Sequence, residues 1–256
     1  MSLLAAEALS IGYRFSPRIL DELGIEIPSG RFVALLGPNG SGKSSLLRTL
    51  AGLQPPLSGN VSLDGRPLYG RRAVSVSLRA RSIAVVLTEV VLPGLLTGAD
   101  LVATGRLPYR PLFGPLDETD RRVIEESLEL VEASHLASRR IGEVSDGERQ
   151  RLMLARALAQ RPRILLMDEP GAFLDPPHQA ALFMLLRELV TTQRLEAVLV
   201  ATHQLSLAID HADTLWLLSG RGVEDVPPQE AENAINRAFA LPGVRFSVER
   251  GTFNSE

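Results

Sequence analysis

Four short, unbroken apolar runs set the pattern of this chain: Arg31–Leu36, Ser82–Leu87, Arg163–Met167 and Ala197–Ala201. Each is too short for a long helix, and continuous apolarity predicts strands covered on both faces, as in a doubly wound parallel sheet. Three of the runs lead straight into glycine or a polar residue, namely Gly37, Asp168 and Thr202-His203. Ligand sites in open α/β sheets lie at the carboxyl ends of strands, so these residues are expected to converge on one crevice.

The N-terminal stretch and Gly59–Gly65 predict short antiparallel strands with turn residues. Between Thr88 and Arg161 the pattern turns helical. Asp117–Glu132 carries Val123, Leu128 and Val131 among charges, and Glu148–Gln160 carries Leu152, Ala155 and Leu158 on one face. Pro93, Pro108, Pro111 and Pro115 punctuate the approach. This reads as a helical insertion within the α/β core. Beyond Gly220 the signals weaken, and Asn233–Phe253 is read either as a tail packed on the core or as a dimer contact.

Composition narrows the setting. With 256 residues, 45% apolar and no cysteine, the chain can bury a core without disulfides, which fits a reducing compartment. A net charge of −3 and no long basic run argue against nucleic acid as a partner. The arginines between Arg66 and Arg81 form the densest basic stretch and read as a solvated loop. No apolar run reaches the ~18–20 residues that cross a bilayer. The start, Met1 to Ala6, lacks the charged flank of a secretory signal. A soluble protein is expected, with any membrane role arising through a partner.

Gly37-Pro38-Asn39-Gly40-Ser41-Gly42-Lys43-Ser44 fits the phosphate-loop pattern between a predicted strand and the apolar helix Ser45–Ala51. Glycines let the backbone approach phosphate oxygens, and successive N–H groups with the helix start bind the anion. Lys43 would reach the outer phosphates, and the Ser44 hydroxyl would ligate Mg²⁺. A buried strand delivers Asp168, which can hold that metal through water, and Glu169, which can take a proton from the attacking water. The alternative for this acidic pair is a helix cap before Pro170. His203 ends the fourth run beside the same crevice.

Val144-Ser-Asp-Gly-Glu-Arg-Gln150 precedes Asp168 by about one helix and one strand. It resembles the signature of ABC-type ATPases, and so do Phe173-Leu-Asp175 at the family's D-loop and His203 at its H-loop. The resemblance spans roughly residues 3 to 220. It implies an α/β fold: a P-loop NTPase (RecA-like) core with a mostly parallel sheet, an N-terminal antiparallel β subdomain and a helical subdomain inserted at about residues 89–161. Residues 1–220 would be the ATPase domain and residues 221–256 an extension packed on it.

The resemblance further implies that Tyr13 stacks on adenine, with a strand-surface role as the plainer alternative. Two copies would sandwich two ATP molecules. Each ATP would meet the phosphate loop of one copy, including Ser45, and Ser145, Asp146, Gly147 and Glu148 of the other. Ser145 and Glu148 also have the spacing of a helix capping box, and the two readings are compatible. Asp175 would lie at the seam.

Two departures stand out. Asp146 replaces a glycine and sets a carboxylate near incoming phosphates. The family's Q-loop glutamine is absent: Thr88-Glu89 follows the second strand, and Glu89, a possible magnesium ligand, or Thr88 would take its place. Thr97-Gly-Ala-Asp-Leu-Val-Ala-Thr-Gly-Arg-Leu-Pro-Tyr109 resembles the stretch after the Q-loop in ATPases of iron–siderophore, haem and cobalamin importers. The implied partners are a second copy, integral membrane permease subunits and, indirectly, a solute-binding protein. The implied place is the cytoplasmic face of the inner membrane. Two other readings stay open: a soluble ABC ATPase in iron–sulfur cluster assembly or repair, and a regulatory module with little turnover.

Overall fold

The computed structural model describes residues 2–13, 17–88, 94–111, 114–220, 222–239 and 242–255. In the first third lie strands β1 (Ser2–Gly12), β2 (Arg18–Pro28) and β3 (Arg31–Leu36), then helix α1 (Lys43–Leu50). They are followed by β4 (Ser58–Leu63), the two-residue β5 (Arg66–Pro67), α2 (Val76–Ser82) and β6 (Ile83–Val86). Helices α3 (Gly98–Ala103), α4 (Glu118–Leu130) and α5 (Asp146–Ala159) precede β7 (Ile164–Asp168), α6 (Pro176–Thr191), β8 (Ala197–Ala201) and α7 (Leu205–His211). The chain ends with β9 (Thr214–Ser219), β10 (Gly222–Val226), α8 (Ala231–Phe239), β11 (Val244–Ser247) and β12 (Thr252–Ser255).

Among the described residues, six strands form the central sheet in the order β10-β9-β3-β8-β7-β6. Its pairs are parallel except for β10, which runs antiparallel to β9 at one edge. A second sheet, β2-β1-β4-β5, is antiparallel, and β11 and β12 form a hairpin.

The central sheet has a distinct core on each face, because strand side chains alternate with period two. Phe32, Ala34 and Leu36 of β3 join Leu152, Ala155 and Leu158 of α5 and Phe183 of α6. Val33 and Leu35 join Leu46, Leu47 and Leu50 of α1 and Leu9, Ile25 and Val61 of the antiparallel sheet. Burying each of the three α1 leucines contributes about 1.5–3 kcal/mol. Helices α1 and α5 therefore pack on opposite faces of one sheet, which bears on the site below.

Several boundaries differ from the sequence reading for identifiable reasons. Ser82 closes α2 instead of opening β6, since its hydroxyl donates to Leu78 O at 2.9 Å. Arg163 stays outside β7, its guanidinium engaged by Asp64 and Glu196. Helix α1 starts at Lys43 because Gly42 already makes the turn; α5 starts at Asp146 behind its cap Ser145, as the capping-box spacing predicts. The Arg66–Arg81 stretch is not simply loop: it holds β5 and α2, whose N-cap Ser75 accepts the Leu78 N–H. The described part of the tail packs on the core, with Val226, Ala231, Ala234, Ile235 and Phe246 buried in it.

Helices α3, α4 and α5 pack on one another. A buried ion pair fastens them: Arg106 Nε donates to Asp120 Oδ1 at 2.8 Å, while Arg106 also donates to Ala159 O. Tyr109 lies under the guanidinium groups of Arg81 and Arg106, at 4.8 and 4.1 Å from its ring centre, and its hydroxyl donates to Gln160 O.

Candidate active site

The phosphate loop leaves β3 at Leu36 and turns into α1 through Gly42, whose φ of +101° favours glycine. A Cβ there would also meet Ile19 Cγ2 at 2.5 Å. Gly42 offers no side-chain cap, so N–H groups of the first helical turn are left for a ligand. Pro38, Asn39 and Gly40 are exposed at the loop's tip, Ser41 and Ser44 half-buried, Gly37 and Ser45 buried. The Ser41 hydroxyl is buried without a hydrogen-bond partner among the described residues.

Lys43 is folded onto the loop, its Nζ donating to Gly37 O at 2.7 Å and to Pro38 O at 3.1 Å. Burial pulls its pKa below the usual lysine value, against the opposing pull of Glu169 and Asp168. Ala201 of β8 stands in register with Leu35 of β3 and with Asp168 of β7, so both carboxylates lie at the end of the sheet from which the loop leaves.

Asp168 ends β7 opposite Ala201 of β8 and is 4% exposed. Among the described residues its Oδ1 has no hydrogen-bond partner, and a buried carboxylate oxygen left this way is fitted to receive a cation or its water. The Thr88 hydroxyl donates to the Asp168 carbonyl at 2.7 Å. Glu89 lies outside the described residues.

Glu169 adopts φ +48°, a left-handed backbone that costs a non-glycine residue about 1 kcal/mol. Its N–H donates to Ala201 O at 2.8 Å. Its Oε2 lies 2.7 Å from His203 Nδ1 and accepts the His203 N–H at 3.3 Å. The adjacency of β7 and β8 thus brings together two residues 34 positions apart. Tyr13 follows β1 and is 52% exposed, so its ring face is open to a ligand.

The signature segment opens α5. Ser145 Oγ accepts the Glu148 N–H at 3.2 Å, and Glu148 Oε2 accepts from the Ser145 N–H at 2.8 Å. That backbone bond first, then the Ser145 hydroxyl and the Arg139 charge, hold the Glu148 pKa below its usual value. Asp146 is exposed and paired with Arg149 at 2.9 Å, which offsets its charge. Gly147 lies against Phe173 and Leu174. Asp175 caps α6 by accepting the His178 N–H, and its carboxylate also pairs with the His178 ring.

His178, Gln179, Ser206 and Gly251 stand in none of the motifs visible in the sequence. His178 had a signal, an aspartate cap three residues upstream. Gln179 had none: its amide donates to Gly171 O and Leu174 O, pinning the chain between Glu169 and Asp175.

The strand-end crevice, phosphate loop and acidic pair define a phosphate-loop ATPase. Residues 20–172 match the sequence model of the ABC transporter family, and the chain belongs to that family. It binds ATP and is an ATP hydrolase. It is 40% identical over 257 residues to an uncharacterised ABC transporter ATP-binding protein of Methanocaldococcus jannaschii, covering 98% of this chain and 86% of that one. It is 36% identical to the ferric enterobactin transport ATP-binding protein FepC of Escherichia coli, over 93% of this chain and 87% of that one. The dimeric structure of a bacterial ABC transporter cassette superposes with a TM-score of 0.78 at 26% identity, covering 88% of this chain and 98% of that chain.

Proposed function

We propose that this chain is the ATP-hydrolysing subunit of an importer for iron chelates, working as a pair of copies on the cytoplasmic face of the membrane. One observation carries the reading: Lys43, Asp168, Glu169 and His203 gather at one crevice, whereas the start of α5 belongs to a helix on the opposite face of the sheet. A site needing both the phosphate loop and the α5 start is then completed by a second copy, as the dimeric cassette suggests. The iron-chelate class rests on the ferric enterobactin relative and on the Thr97–Tyr109 stretch; haem and cobalamin are the alternatives.

In this reading Lys43 exchanges the carbonyls of Gly37 and Pro38 for phosphate oxygens, which are stronger, charged acceptors. Tyr13 stacks on adenine. Ser145, Gly147 and the α5 N–H groups close on the partner's ATP, and Asp175 lies at the seam. Ser44 and Asp168 fit a magnesium ion, with Glu89 as a further proposed ligand. Phosphate oxygens and water would complete its shell. Magnesium supplies neutralisation of phosphate charge. Glu169 accepts the proton of the attacking water, and His203 orients that carboxylate from 2.7 Å.

No described helix is long and apolar enough to cross a membrane, so translocation falls to permease subunits. A separate solute-binding protein completes the proposal. So do the helical insertion at about residues 89–161 and the extension at residues 221–256. Detergent purification of the tagged chain from its own membranes tests the reading. Recovery of a many-helix integral membrane protein is expected; recovery of none, with the chain intact, contradicts it.

A further inference from the structure

The residue three positions after His203 touches the end of the chain. Ser206, in the first turn of α7, donates its hydroxyl to Gly251 O at 2.9 Å. Gly251 sits in the turn between β11 and β12 at φ +66°, and a Cβ there would meet Ser206 Oγ at 2.6 Å. The turn therefore lies against α7 at a point where no side chain fits.

The hairpin behind that turn is firmly held. Phe246 is buried, its N–H donates to Asn236 Oδ1 at 2.7 Å, and its carbonyl accepts from Asn236 Nδ2 at 3.0 Å. Glu232 accepts the Val248 N–H at 2.8 Å. Phe253 packs edge-on against Phe246 and tilted against Phe239, with ring centres 5.4 and 5.8 Å apart. Helix α8 in turn packs on β9 through the buried Ala231, Ala234 and Ile235. A chain of contacts thus runs from the central sheet through α8 and the hairpin to α7. An open cleft of about 350 Å³ lies between, with His203 and Gln204 on one wall and Phe246, Gly251 and Phe253 on the other.

We propose that the C-terminal hairpin braces the catalytic crevice: Gly251 and Ser206 are positioning residues that hold the start of α7 so that His203 Nδ1 stays on Glu169. His203 is 62% exposed at its side chain and its ring has little packing of its own. Its placement depends on the backbone of Thr202–Ser206. That backbone is fixed upstream by β8, and downstream by the first turn of α7, where the hairpin bears. This inference rests on the proposed roles of Glu169 and His203.

Steady-state ATP turnover of the full-length chain tests it with Ser206→Ala, Ser206→Thr, His203→Ala and the Ser206→Ala/His203→Ala pair. The brace predicts that Ser206→Ala lowers kcat about three- to tenfold, as one hydrogen bond commands, with KM for ATP within about twofold. Ser206→Thr, which keeps the hydroxyl, restores the rate. In the His203→Ala background Ser206→Ala costs nothing further, because the two act in series. Gly251→Ala pushes on Ser206 from the hairpin side and gives the same kcat loss, which keeps the test decisive if Ser206→Ala folds poorly. A Ser206→Ala protein at the wild-type rate, or one whose loss adds in full to that of His203→Ala, overturns the brace alone. A His203→Ala protein at the wild-type rate removes the reading beneath it and overturns both.

Discussion

The hydroxyl of Thr88 donates to the backbone carbonyl of Asp168 across 2.7 Å, tying the end of β6 to the acidic end of β7. Of the two residues that could stand in for the family's absent Q-loop glutamine, Thr88 is thus a short side chain that holds the acidic strand end. Thr88→Val keeps the shape and removes the donor. Its expected cost is about 1 kcal/mol, or roughly fivefold in kcat, with little change in thermal midpoint. Magnesium-dependent turnover of the variant measures this, and Glu89→Ala alongside it separates the two neighbours: unchanged magnesium dependence in Glu89→Ala means that Glu89 holds no metal.

Glu169→Gln removes the proton acceptor and keeps the side chain's size. Turnover is expected to fall by about 10²–10⁴, the usual contribution of general base catalysis, while equilibrium ATP binding stays near wild type. Rapid-quench assays beside fluorescent-nucleotide titration make the comparison. Equal losses in binding and turnover would assign Glu169 to structure instead of chemistry.

The pair Arg106–Asp120 has both side chains almost wholly buried, at 5% and 6% exposure. Asp120→Ala leaves the guanidinium unpaired and is expected to cost about 3–5 kcal/mol in chemical denaturation. Burial works against ionisation of Asp120, but the hydrogen bond from Arg106, with the Asp117 backbone and the charges of Arg106 and Arg110, outweighs it and lowers the pKa below 3.8. A carboxylate depressed in the folded state contributes stability above its unfolded pKa and loses it as pH falls through the folded value. Stability of the wild type is therefore expected to drop below about pH 4 more steeply than that of Asp120→Asn.

The strands that frame the crevice were the most legible part of the sequence, because a strand buried on both faces has few other ways to read. β3 and β8 have the predicted bounds. Ends governed by side chains were harder: the Ser82 hydroxyl closes α2, and β7 runs one residue later than its apolar run, from Ile164 to Asp168, with Arg163 held in ion pairs outside it. The tail was least legible. Thr252–Ser255 carries a single large apolar residue, Phe253, and becomes a strand by pairing with Val244–Ser247 and packing on Phe246 and Phe239, which its own four residues do not signal. In the crevice, the phosphate loop and the acidic pair are contiguous motifs and were visible as such. The Glu169–His203 contact, the Thr88–Asp168 bond and the Ser206–Gly251 brace each join distant segments, so they required the strand order and the packing of the tail.

In the proposed pair of copies each ATP site is shared between both, since α1 and α5 lie on opposite faces of the sheet. Mixing two crippled chains distinguishes a shared site from a separate one. Lys43→Ala disables the phosphate loop and Ser145→Arg disables the α5 start, so each variant alone is expected to be inactive. In an equal mixture half the dimers are heterodimers, each with one intact site of two, and turnover is expected to recover to about a quarter of the wild-type level. A mixture no more active than its separate components contradicts a shared site.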